Sequence, residues 1–283
     1  MIKSPINYMG SKRRLLKQIL PLFPENIDTF YDLFAGGGIV SLNTQAKQVY
    51  YNDLDKNLAH MFITLSTLSD FEIDAVEKII LNHHDKESFL ALRYDYNQGN
   101  YHGLDKYVAL YVLIILSFNG LPRFNSKGEY NMPYASINRL TDNYLKTKIG
   151  NLRVFIKYVQ EHHLAFISKS YDKVIPDLRS LSNNDFVYLD PPYSLTDATY
   201  MDRGNRWSYQ EDKDLIAYMD NLDRYHIKFA MSNVLSHRGT TNEVLLSWLK
   251  DSNYTVHHLN MDYSNSTYHT KTGKSDEILV TNY

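Results

Sequence analysis

The sequence predicts an α/β protein, a parallel sheet interrupted by a mostly helical insert. Three observations carry this expectation. Two strand–turn–helix units stand near the start, helical periods fill the middle with few strand signals, and extended apolar runs return from His163 onward.

In order, "KRRLLKQILPLF" aligns Leu15, Leu16, Ile19 and Leu20 on one helical stripe that Pro21 and Pro24 bring to a stop. "TFYDLFAGGGIVSLNTQA" reads as a short buried strand, a glycine turn and a helix. "QVYYNDLDKNLAHMFITL" repeats the scheme with an acidic turn, and two such units open a parallel sheet. From Phe62 to Val159, "FEIDAVEKIILN" and "KESFLALRYDYNQG" keep helical spacing. "YVALYVLIIL" at 107–116 is too short to span a bilayer and reads as a buried helix. "LPRFNSKGEYNMPYAS", with "NSKG" between two extended pieces, is a β-hairpin signature. Strands return with "HLAFISKSY", "DFVYLD", "IKFAMSN", "YTVHHLNMDY" and "DEILVTNY". The expected division is a discontinuous domain of residues 1–60 and 160–283 around an insert of 61–159, a size that suits a small domain.

Composition narrows the chemistry. With 283 residues and 43% hydrophobic content the chain can bury a full core. There is no cysteine, which excludes disulfides, thiolate zinc sites and a cysteine nucleophile and accords with a reducing, cytoplasmic setting. "MIKSPINYMGSKRRLL" lacks the apolar core of a signal peptide. A net charge of -2 argues against polyanion binding through overall charge. Between Ser117 and Gln160, however, seven Lys/Arg (Arg123, Lys127, Arg139, Lys146, Lys148, Arg153, Lys157) face two acids, Glu129 and Asp142. That excess is either a local basic face or an ordinary solvated helix surface.

Three motifs point to chemistry. "DLFAGGG", from Asp32 through Phe34 and Ala35 to Gly36, Gly37 and Gly38, lets backbone approach a ligand closely; consecutive glycines are not the dinucleotide fingerprint. Asp53, 17 residues after Gly36, sits at the tip of the second strand, where a carboxylate suits ribose hydroxyls; a plain helix N-cap is the alternative. In "LDPPYS", Pro191 and Pro192 fix their own φ and hold Asp190 extended, leaving the Pro191 carbonyl exposed beside the carboxylate. Two acceptors side by side suit an amino group with two hydrogens, and Tyr193 can lay its ring on a flat base. The bland alternative is an X-Pro-Pro loop. "TGKS" at 272–275 lacks the glycine a phosphate loop needs at Tyr268, and a strand follows it. The histidine pairs 83/84, 162/163 and 257/258 lack metal spacing, so no metal is expected.

Read in order, "INYMGSKRRLL", "FYDLFAGGGIVSLN", "YYNDLD", "RFNSKGEYNMP", "FVYLDPPYS", "FAMSNV" and "DEILVTNY" resemble the Dam-type (class α) DNA adenine-N6 methyltransferases of bacteria and their phages, over essentially the whole chain. The resemblance implies a Rossmann-like, S-adenosylmethionine-dependent catalytic sheet with an inserted DNA-recognition domain. It implies Tyr8 and Lys12 lining the cofactor pocket, with Lys12 near the methionine carboxylate or the target base, Asp32 and Gly36 to Gly38 on the methionine part, Asp53 on the ribose and Tyr171 by the cofactor adenine, with Phe34, Ala35 and Asp190 also at the cofactor. Asp190, Pro191, Pro192 and Tyr193 would grip a flipped adenine, and Asn7, Arg123, Asn125, Lys127, Asn131, Pro133 and Arg139 would meet DNA. A GATC-like site is the first guess; where many GATC-specific members show Pro-Phe-Gly this chain has "PYAS", with Ala135 at the glycine, and that departure makes a different short site the alternative. The expected partners are double-stranded DNA and a cognate restriction endonuclease encoded nearby, with no membrane and a monomeric state. Without a cysteine, cytosine C5 methylation is excluded. Cytosine N4 methylation, a catalytically silent DNA-binding regulator, and methylation of RNA or protein glutamine remain as alternatives.

Overall fold

In the computed structural model, which describes residues 1–136, 140–195, 207–260 and 275–283, eight strands form one sheet. They are β1 (Thr29–Asp32), β2 (Gln48–Asn52), β3 (Leu164–Ile167), β4 (Phe186–Leu189), β5 (Lys228–His237), β6 (Thr240–Thr241), β7 (Thr255–Leu259) and β8 (Ser275–Thr281). The order is β3-β2-β1-β4-β5-β8-β7, with β6 a short antiparallel addition to β5. β1 to β5 pair in parallel, whereas β8 runs antiparallel between β5 and β7. Central β4 is buried at every residue, as expected for a parallel strand covered on both faces.

Each face has its own apolar cover. On one, Leu15, Leu16 and Ile19 of the N-terminal stripe pack with Phe23 on Phe30, Phe186 and Tyr188; Phe23 meets Phe186 edge-on at 4.8 Å. The stripe is expected as one helix, but only α1 (Leu16–Ile19) is α-helical, with 3-10 turns at Lys12–Arg14 and Leu20–Leu22. Pro21, lacking an N–H, sits in the second of these. The helix expected after the glycine turn is a second departure. Residues 39–43 form successive hydrogen-bonded turns: Asn43 Nδ2 takes the Ile39 carbonyl that its own N–H would bond in a helix, and that N–H goes to Val40 instead.

The insert is helical, as its periodicity predicts. α2 (Lys56–Ser66), α3 (Asp70–Asn82), α4 (Lys86–Gln98), α5 (Gly103–Leu116) and α6 (Asp142–Glu161) run through it. Starts are capped by Asp55, Ser69 with Glu72, Asp85 and Thr141, and α4 ends on Gly99 at φ +77°. α5 is buried at every residue from Ala109 to Leu116, which makes it the insert's central helix. Among the described residues no helix is long and apolar enough to cross a membrane. The expected boundary at 60/61 falls inside α2, and that at 159/160 inside the last turn of α6. Across them runs an aromatic seam: Phe62 lies 5.2 Å from Tyr51, 5.6 Å from Phe155 and 5.8 Å from Phe166.

Candidate active site

Three carboxylates converge at the carboxyl edge of the sheet. Asp32 ends β1, Asp53 follows β2 and Asp190 follows β4, at the point where the connections from β1 and β4 leave toward opposite sides; open α/β sheets bind ligands there. Lys12 Nζ donates to Asp190 Oδ1 at 2.7 Å and to the Gly10 carbonyl at 3.2 Å, and stands 5.0 Å over the Tyr193 ring. Tyr193 donates its hydroxyl to the same Oδ1 at 3.0 Å. Burial pushes the Asp190 carboxyl up, and the Lys12 ammonium and Tyr193 hydroxyl pull it back. Burial, then the Asp190 charge, raises the Tyr193 phenol, so it stays protonated and donates. Pro191, two residues beyond the end of β4, is buried as a residue.

Asp32 is 1% exposed. Its Oδ2 accepts Ser41 Oγ at 2.6 Å, whereas Oδ1 has no hydrogen-bond partner among the described residues. Burial pushes the carboxyl up to about 7, with the Ser41 hydrogen bond opposing and the charges of Asp190 and Asp53 adding to the rise. An orphaned, buried acceptor among three acids fits a cationic group. Asp53 accepts the Gly36 N–H at 3.0 Å and the Asp55 N–H at 2.8 Å, bracing the turn; the cap of α2 is Asp55.

The glycines serve Tyr8 first. A Cβ on Gly36 would overlap the Tyr8 ring and one on Gly37 would fall 2.7 Å from Tyr8 Cβ, so this loop is cut to let that ring lie on it. Tyr51 donates its hydroxyl to the Gly36 carbonyl at 2.5 Å, and Ala35 N–H bonds the Asn52 carbonyl at 2.8 Å. Phe34 and Tyr171 face each other at 5.3 Å, and Trp207 meets Phe34 edge-on at 5.8 Å. Sequence reasoning missed Trp207 and Asn52. Trp207 stands just before the capping box of Ser208 and Glu211, a legible helix start. Buried Asn52 donates to the Leu33 and Lys169 carbonyls and accepts the Lys169 N–H, tying together the loops after β1, β2 and β3.

The expected DNA-facing residues hold the hairpin and its neck. Phe124 and Tyr130 form an antiparallel bridge around a turn whose Gly128 has φ +80°. Arg123 donates to the Asn131 side chain and carbonyl; Asn125 accepts the Lys127 and Glu129 N–H groups and donates to the Glu129 carboxylate. The Pro133 carbonyl accepts the Phe118 N–H. Asn7 donates to the Asn119 carbonyl at 2.7 Å and accepts Lys148 Nζ at 3.0 Å. Burial, then the charges of Arg13 and Lys3, lowers Lys148 to about 8. Arg153 pairs with Asp70 and Asp74 of α3, and Lys157 with Glu161, which favours the solvated-surface reading along α6. Lys127 and Lys146 are exposed; Arg139 and residues 272–274 of "TGKS" lie outside the described residues.

Residues 8–265 match the family model described as D12 class N6 adenine-specific DNA methyltransferase. Over its whole length the chain is 39% identical to the Type II methyltransferase M.FokI of Planomicrobium okeanokoites and 37% identical to the modification methylase StsI of Streptococcus sanguinis. It spans 43% of each of those relatives. It is 26% identical over 98% of its length to the Type II methyltransferase M1.LlaDCHI of Lactococcus lactis subsp. cremoris, spanning 94% of that protein.

Proposed function

Because the chain belongs to the D12 class N6 adenine-specific DNA methyltransferases, we propose that it transfers a methyl group from S-adenosylmethionine to N6 of an adenine in a short duplex DNA site. The observation that carries this reading is Asp190, a partly buried acceptor fixed between Lys12 and Tyr193 and followed by two prolines. S-adenosylmethionine, when bound, supplies an electrophilic methyl on a sulfonium. Asp32 Oδ1 suits the ammonium end of that molecule, Asp53 its ribose, and Phe34 and Tyr171 its adenine, with Tyr8 and the 35–38 loop between them.

In this reading the target base leaves the stack, at a cost of a few kcal/mol, and its amine takes up the Asp190 carboxylate and the Pro191 carbonyl. Accepting both N–H hydrogens directs the nitrogen lone pair toward the methyl carbon. Lys12 holds Asp190 ionised and shares Oδ1 with the incoming amine, and Tyr193 stacks on the ring. As the nitrogen–carbon bond would form, the sulfur–carbon bond would break to leave a neutral thioether, and the methylated nitrogen would then release its proton to solvent, so positioning and electrostatics replace a strong base.

Residues 61–159 are the recognition insert in this proposal, with the hairpin of Arg123, Asn125, Lys127, Asn131 and Pro133 reading the groove, and Asn7 and Arg139 beside it. A GATC-like site remains the first guess. The protein is proposed to act in the cytoplasm as a monomer, with a cognate endonuclease encoded nearby.

Asp190→Ala tests the reading. Methylation should fall by about a hundredfold or more while cofactor affinity stays within about threefold and the protein remains folded by circular dichroism. Digestion of the product duplex should release N6-methyladenine. Turnover by the variant, or N4-methylcytosine in the digest, would overturn the proposal.

A further inference from the structure

Ser194 and Trp207 both donate to one buried carboxylate that belongs to neither ligand pocket. Asp212, in the first turn of α7 (Tyr209–Arg224), is 4% exposed. Its Oδ2 accepts Ser194 Oγ at 2.7 Å and Asn242 Nδ2 at 3.0 Å, and its Oδ1 accepts Trp207 Nε1 at 2.7 Å. Asn242, fully buried, also donates to Ser194 Oγ at 3.1 Å and caps α8 (Glu243–Asp251) by accepting the Leu245 N–H.

Packing alone does not call for this group. α7 is already buried through Leu215, Met219 and Leu222, and a buried carboxylate is costly unless its hydrogen bonds are complete. Two of its three donors, Ser194 and Trp207, stand beside the candidate site. Ser194 follows Tyr193 directly, so it fixes where the stacking ring leaves the backbone. Trp207 stands 5.8 Å from Phe34 and 6.5 Å from Tyr171, closing the aromatic wall on the cofactor side.

We propose that Asp212 is a positioning residue, a common anchor that sets the Tyr193 side of the base clamp and the Trp207 wall of the cofactor pocket in one geometry. It rests on the methyltransferase reading, and it touches neither substrate. Asn at this position keeps the shape but turns an amide N–H₂ toward donors, so at least one limb comes loose.

The chain has two tryptophans, so in a Trp248→Phe background Trp207 reports alone. Wild type, Asp212→Asn, Ser194→Ala and Trp207→Phe are compared by calorimetric titration with S-adenosylmethionine and by single-turnover methylation at saturating cofactor. Asp212→Asn should raise the cofactor Kd and lower the single-turnover rate, each roughly tenfold, and red-shift Trp207 emission. Ser194→Ala should lower the rate with the Kd unchanged, and Trp207→Phe should raise the Kd. An Asp212→Asn protein that loses thermal stability while both constants and the emission stay within about twofold is merely missing a structural bond, and the proposal falls. Should that variant not fold, the two limb variants decide, and wild-type values in both sink it. Absence of methylation by the wild type would count against the functional reading instead, while the Kd and emission measurements would still judge the anchor.

Discussion

Burial disfavours the charge of Asp32 and raises its carboxyl, and that displacement can be read in solution. An isolated Asp titrates near ~3.9. In the folded chain the value is about 7, so between those limits the folded form binds more protons than the unfolded form and this group makes stability fall as pH rises through that window. A cation on Oδ1 favours the ionised carboxyl. Cofactor binding below pH 7 should therefore release a proton, and affinity should climb as pH approaches 7. Calorimetry in two buffers of different ionisation heat counts that proton; Asp32→Asn should abolish its release and weaken binding roughly tenfold. The same proton count in the variant would remove Asp32 from the ammonium role.

At the scale of elements, the hairpin spends its most recognisable residues on its own shape. Asn125 accepts two backbone N–H groups and donates to Glu129, so its first duty is a fixed turn. Asn125→Ala should lower discrimination between the cognate duplex and single-base variants about tenfold, with less than threefold loss in binding to random DNA. Equal losses on both would mean that the turn's rigidity plays no part in reading sequence. The hairpin was legible because "NSKG" carries local turn chemistry, and so were the strands, whose apolar runs need no distant partner to be seen. The turns at 39–43 were not legible, since Asn43 satisfies helical spacing until its side chain takes the Ile39 carbonyl. Nor was the neutralisation of Arg153: a charge count over 117–160 cannot see Asp70 and Asp74, some eighty residues away. The "DPPY" and "GGG" runs stood out in the sequence as candidates. Asp212, outside both proposed pockets, did not, because an acid in a helix's first turn looks like dipole compensation.

For the whole molecule, the aromatic seam joins sheet and insert, so the two should unfold as one cooperative body. Phe155 is fully buried against Phe62 and Phe166, so Phe155→Ala should cost about 3–5 kcal/mol and move a single unfolding transition seen by both near- and far-ultraviolet dichroism. Two separated transitions would show that sheet and insert melt independently. The strand order carries a further consequence. β8 comes last of the strands yet lies between β5 and β7, so during synthesis the partners on either side wait, unjoined, until residues 275–281 clear the ribosome. The β5 edge, complete at His237, stays open on that side until Thr281 has been made, and over that interval an unpaired edge is exposed to other chains and to chaperones.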